Sequence, residues 1–298
     1  MKRVNFTLLI CLLNILQLCC DALIQDITWC SLPKCKIKEN HTICKWGIIC
    51  PPDQTCETNV NFNKQMKDYI MELHNKKRNI IALGEDEQVP EKVRKAADMN
   101  VLQWHVHLEY VARCHSRQCD FNHDECRVVP DFDRVGQNIY TKSFTNKDPD
   151  HVDTKSIIDQ GVEGLRSRFQ KMCGHTQLFA ITGWYNEIKH ATEDIYNQWD
   201  KTSESSGHYT QLIWAKTTHI GCGLSQTRNH KKLTFYLVCN YGLQGNIKQK
   251  PIYSVGEPCS KCPEDKECNP QFKGLCGTIE AYAFKCPCEE NQEGENGD

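Results

Sequence analysis

The cysteine content of this chain restricts the folds open to it more than any other feature. Twenty of its 298 residues are cysteine, a density foreign to the reducing cytosol and typical of secreted domains held together by disulfides. Residues 1–22 combine a basic start, a short apolar run and small residues before Ala22, the pattern of a secretory signal peptide. Cleavage near Ala22 leaves seventeen cysteines, so at least one has no partner within the chain.

Charge and hydropathy exclude several classes of protein. The N-terminal apolar run is shorter than the roughly 18 residues that a membrane span needs. Without residues 1–22 the chain carries 34 basic and 37 acidic side chains, so no broad attraction to nucleic acid or anionic lipid is expected. We predict a secreted, extracellular protein that is a monomer without a membrane span.

Composition divides the chain into segments. Residues 23–63 hold five cysteines and little hydrophobic periodicity, which predicts a loop-rich segment stapled by disulfides. Within it, Asn40 opens a glycosylation sequon, Asn-His-Thr. The predicted main domain covers 64–248 and includes an insertion at 141–174. A cysteine-rich module and an acidic tail follow at 249–277 and 278–298.

Hydrophobic periodicity predicts the main elements of that domain. Residues 64–84 and 105–119 each carry an apolar stripe at helical spacing, the first formed by Met66, Ile70, Leu73 and Ile80. Gly84 is the expected C-terminal cap of the first helix. A short helix is predicted at 206–214 with Ser206 as its N-cap, and two paired strands at 219–225 and 232–240.

Four motifs in a fixed order carry a resemblance to a known family. They are HNKKR (74–78), GQNIY (136–140), GHYTQLIWAKTTHIGCG (207–223) and YLVCNYGLQGN (236–246). Together they resemble the CAP superfamily of cysteine-rich secretory, antigen-five and pathogenesis-related proteins. The N-terminal cysteines and the GEPCSKC…GLC module resemble the arthropod antigen-five, or venom-allergen, branch. The resemblance covers roughly residues 28–277 and is specific because the four motifs occur together.

The resemblance implies an α+β fold, an α-β-α sandwich, with a polar tetrad in a central cavity. Matched by motif, the tetrad positions are His123, Gln137, Glu187 and His208. Gln137 departs from the glutamate of the full tetrad, and its amide does no acid or base work. The resemblance also implies that His74 and Arg78 pair the first helix with the signature loops.

Three interpretations of the tetrad remain open at this point. The four side chains form a satisfied polar network, or His123 and His208 bind a divalent metal such as zinc weakly, or they catalyse hydrolysis with Glu187 as base. Two imidazoles alone leave zinc coordination incomplete, so no cofactor is obligatory. Ser206 lies near His208, but no G-x-S-x-G elbow or HExxH motif accompanies it.

The function implied by the resemblance is that of a non-enzymatic binder of small hydrophobic ligands, such as lipid, or of extracellular host proteins. The alternatives are a metal-assisted hydrolase using His123, His208 and Glu187, and an ion-channel-directed toxin. The C-terminal module lacks the full cysteine set of the channel-directed domain, which disfavours the toxin. The other histidines are expected to be solvated; they are His105, His107, His115, His190 and His230.

The resemblance also implies a disulfide scheme. The expected pairs are Cys30–Cys44, Cys35–Cys126, Cys50–Cys119, Cys222–Cys239, Cys259–Cys268 and Cys262–Cys276. Zinc binding by the last module is the alternative, which export disfavours. Five cysteines have no family partner, although Cys114 is a candidate partner for Cys56 or Cys173; the five are Cys56, Cys114, Cys173, Cys286 and Cys288.

Overall fold

A computed structural model describes residues 28–145 and 179–280, except for single positions at 33, 55, 57, 61, 63, 230 and 231. The predicted signal peptide lies outside the described residues, as do most of the predicted insertion and most of the acidic tail. Predictions for Cys173, Cys286, Cys288 and His230 also fall outside them.

The described part of the chain combines helices with one mixed sheet, in which most strand pairs are antiparallel. In chain order the labelled helices are α1 (Thr42–Trp46), α2 (Lys64–Leu83), α3 (Val106–Ser116), α4 (Glu193–Asn197) and α5 (Gly207–Leu212). The strands are β1 (Thr58–Val60), β2 (Gln103–Trp104), β3 (Val135–Thr145), β4 (His219–Asn229) and β5 (Lys232–Gly242). Residues 179–185 are also helical, and short 3-10 helices include Asn186–His190 and Lys201–Ser206.

The sheet has the order β1-β4-β5-β3, and β2 pairs with β4 in parallel. The β4–β5 hairpin confirms the strand pairing predicted from sequence, although both strands run longer than predicted. Its register places Cys222 directly opposite Cys239. On the other side of β5, Gln137 of β3 lies opposite Asn240.

The two faces of the sheet support two separate helical layers. Along β5, Leu237, Cys239 and Tyr241 belong to the large core that includes residues of α2 and α5. The intervening Val238 packs instead with Ala112 of α3. This alternation is the period-two pattern of a strand buried on both faces. The result is an α-β-α sandwich, and the predicted fold class is confirmed.

Helix α2 belongs to one helical layer of this sandwich, and it ends before Gly84 as predicted. Gly84 follows its last residue with φ +74°, and the Glu85 N–H donates to the carbonyl of Ile80, an arrangement that glycine favours at helix C-termini. The buried face is centred differently from the prediction: Ile70 and Ile81 are fully buried, whereas Leu73 and Ile80 are only half-buried. The face is shifted because polar residues of α2 also enter the core.

Helix α3 lies directly on β4 at two glycines of the HIGCG motif. A Cβ atom on Gly221 would lie 2.1 Å from the backbone nitrogen of Glu109. A Cβ atom on Gly223 would lie 2.3 Å from the Cα atom of Arg113. Both contacts involve main-chain atoms that no side-chain rotation relieves. The glycines of this motif therefore set the distance between α3 and the sheet.

We expect Gly221→Ala to destabilise the protein by about 3 kcal/mol, because α3 must move off β4 to admit a methyl group. Chemical denaturation of the purified protein measures this loss. Gly183→Ala is the matched control, since its new Cβ atom meets only Tyr140, at 3.4 Å, and alanine favours the helical stretch around it. Equal stability of the two variants would contradict the close packing of α3 on β4.

Seven disulfides connect the described residues. The predicted Cys50–Cys119 pair was wrong: Cys50 pairs with Cys114, and Cys119 pairs with Cys56. The candidate pairing of Cys114 with Cys56 or Cys173 was therefore wrong as well. The physical reason is the path of the N-terminal segment, which runs along α3 from Cys114 toward the helix's C-terminal end. The bridges found as predicted are Cys30–Cys44, Cys35–Cys126, Cys222–Cys239, Cys259–Cys268 and Cys262–Cys276.

Candidate functional site

His123 and Gln137 form the first half of the site at the edge strand β3. His123 lies in the loop after α3, and its Nδ1 atom is 2.7 Å from Oε1 of Gln137. The amide nitrogen of Gln137 donates to Asp124 Oδ1 at 2.9 Å and to Asn240 Oδ1 at 3.0 Å. These two acceptors fix the orientation of the Gln137 amide, because only its nitrogen can donate to them. The amide oxygen Oε1 therefore faces His123 and accepts a hydrogen bond from its imidazole. His123 therefore carries its proton on Nδ1 and a lone pair on Nε2.

Asp124 organises this half of the site, although the sequence analysis did not identify it. Its carboxylate accepts hydrogen bonds from Arg127 and from the hydroxyl of Thr42, in addition to Gln137. Burial alone raises the pKa of this carboxyl, but Arg127, His115 and the hydrogen bonds outweigh it and lower the pKa to about 2. Asp124 is thus ionised at neutral pH and fixes the orientation of the Gln137 amide.

Glu187 and His208 form the second half. Oε1 of Glu187 accepts from Nδ1 of His208 at 2.6 Å, and Oε2 accepts from the backbone N–H groups of His208 and Tyr209 at 2.9 and 3.2 Å. Glu187 therefore caps the first turn of α5 while it holds the imidazole. Ser206 occupies the N-cap position as predicted, but its side chain makes no cap hydrogen bond. The acceptor comes instead from the 3-10 helix Asn186–His190, which contains Glu187.

The imidazole of His208 is supported from behind by buried groups. Its ring stacks on Trp184, with centroids 6.1 Å apart and planes 17° apart. The side-chain amide of Asn138 donates to the backbone carbonyl of His208 at 3.0 Å. Asn138 follows Gln137 in β3, so the two side chains leave opposite faces of the strand. One edge strand thereby contacts both halves of the site.

His74, a buried residue of α2, contacts Tyr241, which in turn accepts a hydrogen bond from Asn138. It does not contact the imidazoles of His123 or His208. Its Nε2 lies 2.9 Å from the hydroxyl of Tyr241, and its Nδ1 lies 2.8 Å from the carbonyl of Ile70. Burial lowers the pKa of His74 to about 4. His74 is therefore a neutral structural residue of α2.

The two halves are electrostatically coupled. Burial lowers the pKa of His123, and Arg127 and His208 lower it further, whereas the hydrogen bond to Gln137 and the charge of Asp124 raise it. In the described part of the chain, Nε2 makes no hydrogen bond in either His123 or His208. Two imidazoles that are each oriented through Nδ1 and have Nε2 without a protein partner are suited to a divalent metal such as zinc. The two imidazoles supply two of the four ligands of a tetrahedral zinc ion, and Gln137 brings no negative charge to the site. Water would therefore fill the remaining two coordination positions.

The arrangement is poorly suited to acid–base hydrolysis. Both oxygens of Glu187 are engaged by the imidazole and backbone N–H groups of α5, and Gln137 does not titrate. Ser206 is buried, so its hydroxyl is not presented to a substrate. The oriented imidazoles remain the reactive feature of the site.

Among the residues described, no helix has both the length and the apolar character needed to cross a membrane.

The sandwich, its disulfides and the paired imidazoles define a disulfide-braced protein of the CAP type. The family model described as "CAP: Cysteine-rich secretory protein family" matches residues 71–241. This chain belongs to that family.

Relatives and solved structures extend this assignment. Venom allergen 5 of Tityus serrulatus is 31% identical over 297 residues, which cover 88% of this chain and 63% of that protein. Venom allergen 3 of Solenopsis invicta is 34% identical over 238 residues, which cover 76% of this chain and 89% of that protein. The crystal structure of NaASP2 with Zn2+ has a TM-score of 0.50 and 26% identity, over 76% of this chain and 100% of that one.

These likenesses confirm the predicted antigen-five-like branch. This chain spans less than two thirds of the length of the Tityus serrulatus protein.

Proposed function

We propose that this chain is an extracellular, non-enzymatic binding protein of the venom-allergen type, in which His123 and His208 bind a divalent cation. One observation carries the proposal: the Nδ1 atom of each histidine is held by a side chain, Gln137 for His123 and Glu187 for His208. The Nε2 atom of each ring is therefore available as a metal ligand. Glu187 acts as the carboxylate partner that orients a ligating imidazole, a common arrangement at zinc sites. The crystal structure of NaASP2 with Zn2+ supports zinc as the cation to test.

Secretion is part of the same proposal. Seven bridges among the described residues are sustained in an oxidising compartment. They agree with the signal-peptide pattern of residues 1–22. The sequon at Asn40 would then be available to glycosylation, although Asn40 also donates to Glu125 in the structure.

We propose an extracellular protein as the partner, and two cavities among the described residues bear on the alternative of a small hydrophobic ligand. One cavity of about 330 Å³ lies beside the site and is lined mainly by polar and charged side chains, among them Lys34, Arg127 and Asp133. A second cavity of about 330 Å³ is lined by Asp194, Lys248 and other polar residues. Neither matches the apolar lining that a lipid chain requires. Mass spectrometry of lipid extracts from natively purified protein tests this preference.

Zinc titration of chelator-treated protein tests the cation. We expect His123→Ala with His208→Ala to remove one class of zinc site, and Glu187→Gln alone to weaken that site by about tenfold or more. His190→Gln is the matched control, because His190 is exposed and lies in the same 3-10 helix as Glu187. We expect it to bind zinc as the parent does.

Activity assays separate the binder from the enzyme. Neither the parent nor the double variant should turn over peptide or ester substrates, with or without added zinc. Metal-dependent turnover that the double variant loses would overturn the proposal in favour of a hydrolase. Unchanged zinc binding in the double variant would overturn the assigned cation site.

A further inference from the structure

A second cluster of metal-ligating side chains lies where β2 leads into α3. His105 precedes α3 with extended backbone, and His107 is the second residue of the helix. Oδ2 of Asp131 is 2.9 Å from Nδ1 of His107 and 3.3 Å from Nε2 of His105. The prediction that these histidines are solvated was wrong, because Asp131 approaches them from a turn 24 residues beyond His107.

The spacing of the three side chains matches a tetrahedral metal site. Each offers one ligand atom, and these atoms lie within 4.8 Å of one another. Zinc bonds of about 2.1 Å place the ligand atoms of a tetrahedron about 3.4 Å apart. The two measured separations from Asp131 are close to that value, so a cation requires only small side-chain movements.

The two imidazoles of the cluster are largely enclosed by protein. The side chains of His105 and His107 are 18% and 19% exposed. Asp131 brings a carboxylate beside both imidazole rings. A divalent cation bound between the three side chains would offset that negative charge.

The second nitrogen of His105 adds an independent observation. Its Nδ1 atom is buried and has no hydrogen-bond partner in the described part of the chain. Without a cation, the Asp131 carboxylate 3.3 Å from Nε2 favours the proton on that nitrogen. Cation binding at Nε2 therefore requires the proton to move to Nδ1, where the described residues offer no acceptor. Ligating imidazoles ordinarily donate their other N–H to an acceptor. Without one, we expect the affinity to be about tenfold or more below that of a site in which the imidazole has such an acceptor.

We propose that His105, His107 and Asp131 form a second divalent-cation site of the zinc class, separate from the His123–His208 pair and open to water at its fourth position. Aromatic rings border it, with Phe132 5.2 Å from His105 and Trp29 6.0 Å from His107. A bound cation would join the start of α3 to the turn that precedes β3.

The test uses the full protein in the His123→Ala, His208→Ala background, which removes the other proposed site. Chelator-treated protein is titrated with Zn2+ by calorimetry and with Co2+ by visible absorption. We expect one ion per chain, with the absorption of four-coordinate cobalt. His107→Gln and Asp131→Asn should each weaken binding by about tenfold or more, while His190→Gln leaves it unchanged.

Asp131→Asn keeps the test decisive if a histidine variant fails to fold, because Asp131 is half exposed and the amide preserves its shape. A background that binds neither ion would overturn the proposal. Equal binding with and without the Asp131 carboxylate would overturn it as well. Failure of the His123–His208 site leaves this result unaffected, since that pair is absent from the protein used.

Discussion

Arg78→Met is expected to prevent stable folding. The guanidinium of Arg78 is fully buried and donates to five backbone carbonyls on α5, the loop after it, and the segment before β2. The acceptors are the carbonyls of Asn100, Leu212, Trp214, Ala215 and Thr217. Each buried carbonyl left without a donor costs about 1–3 kcal/mol. The carbonyls of Trp214 and Ala215 keep donors from Thr217 and Asn100, so three carbonyls lose their donor. The resulting loss of about 3–9 kcal/mol is comparable to the roughly 5–15 kcal/mol that stabilises a typical domain.

Secretion yield and urea denaturation measure the effect. Arg78→Lys should be intermediate, because an ammonium group keeps the charge but has only three donors. Lys76→Met is the matched control on the solvent side of α2, where the exposed Lys76 forms an ion pair with the exposed Glu72. It should change stability by about 0.5 kcal/mol or less. A yield and stability of Arg78→Met equal to those of this control would contradict the assigned role.

Removal of the Cys35–Cys126 bridge is expected to cost about 3.5 kcal/mol. The two cysteines are separated by 91 residues, but the bridges Cys50–Cys114 and Cys56–Cys119 lie inside that span. With the inner bridges intact, the outer one closes a loop of roughly 30 residues. The chain-entropy cost is therefore smaller than that of an isolated 91-residue loop, about 4.6 kcal/mol.

The double variant Cys35→Ser, Cys126→Ser avoids a free thiol, and guanidinium denaturation measures its stability. Cys259→Ser with Cys268→Ser is the comparator, because that bridge spans only nine residues and should contribute about 2.5 kcal/mol. Peptide mapping of the parent protein should recover Cys50 linked to Cys114. Recovery of Cys50 linked to Cys119, or a loss below about 1 kcal/mol for the outer bridge, would contradict this account.

The sequence predicted those features that depend on local periodicity. The stripe of α2, its glycine cap and the β4–β5 pair each occupy one continuous segment, so their patterns are complete in the sequence. The layer order was predicted only through the four family motifs. The exact face of α2 was not predicted, because a buried arginine and a buried histidine replace apolar residues in the stripe.

The features that the sequence analysis missed involve partners that are distant in the chain. Asp124 gains its role only when β3 brings Gln137 beside it. Glu187, not the adjacent Ser206, caps α5 because a separate 3-10 helix lies against that helix. His115 was expected to be solvated but is buried, with Nε2 2.8 Å from the carbonyl of Asn122. A solvated histidine and a positioned one have the same local sequence signature.

The most direct test of the central claim is anomalous diffraction at the zinc absorption edge from crystals grown with zinc. The account predicts a peak about 2 Å from Nε2 of both His123 and His208, with Glu187 still hydrogen-bonded to Nδ1 of His208. A peak bonded to a Glu187 oxygen, or the absence of a peak between the two imidazoles, would contradict it.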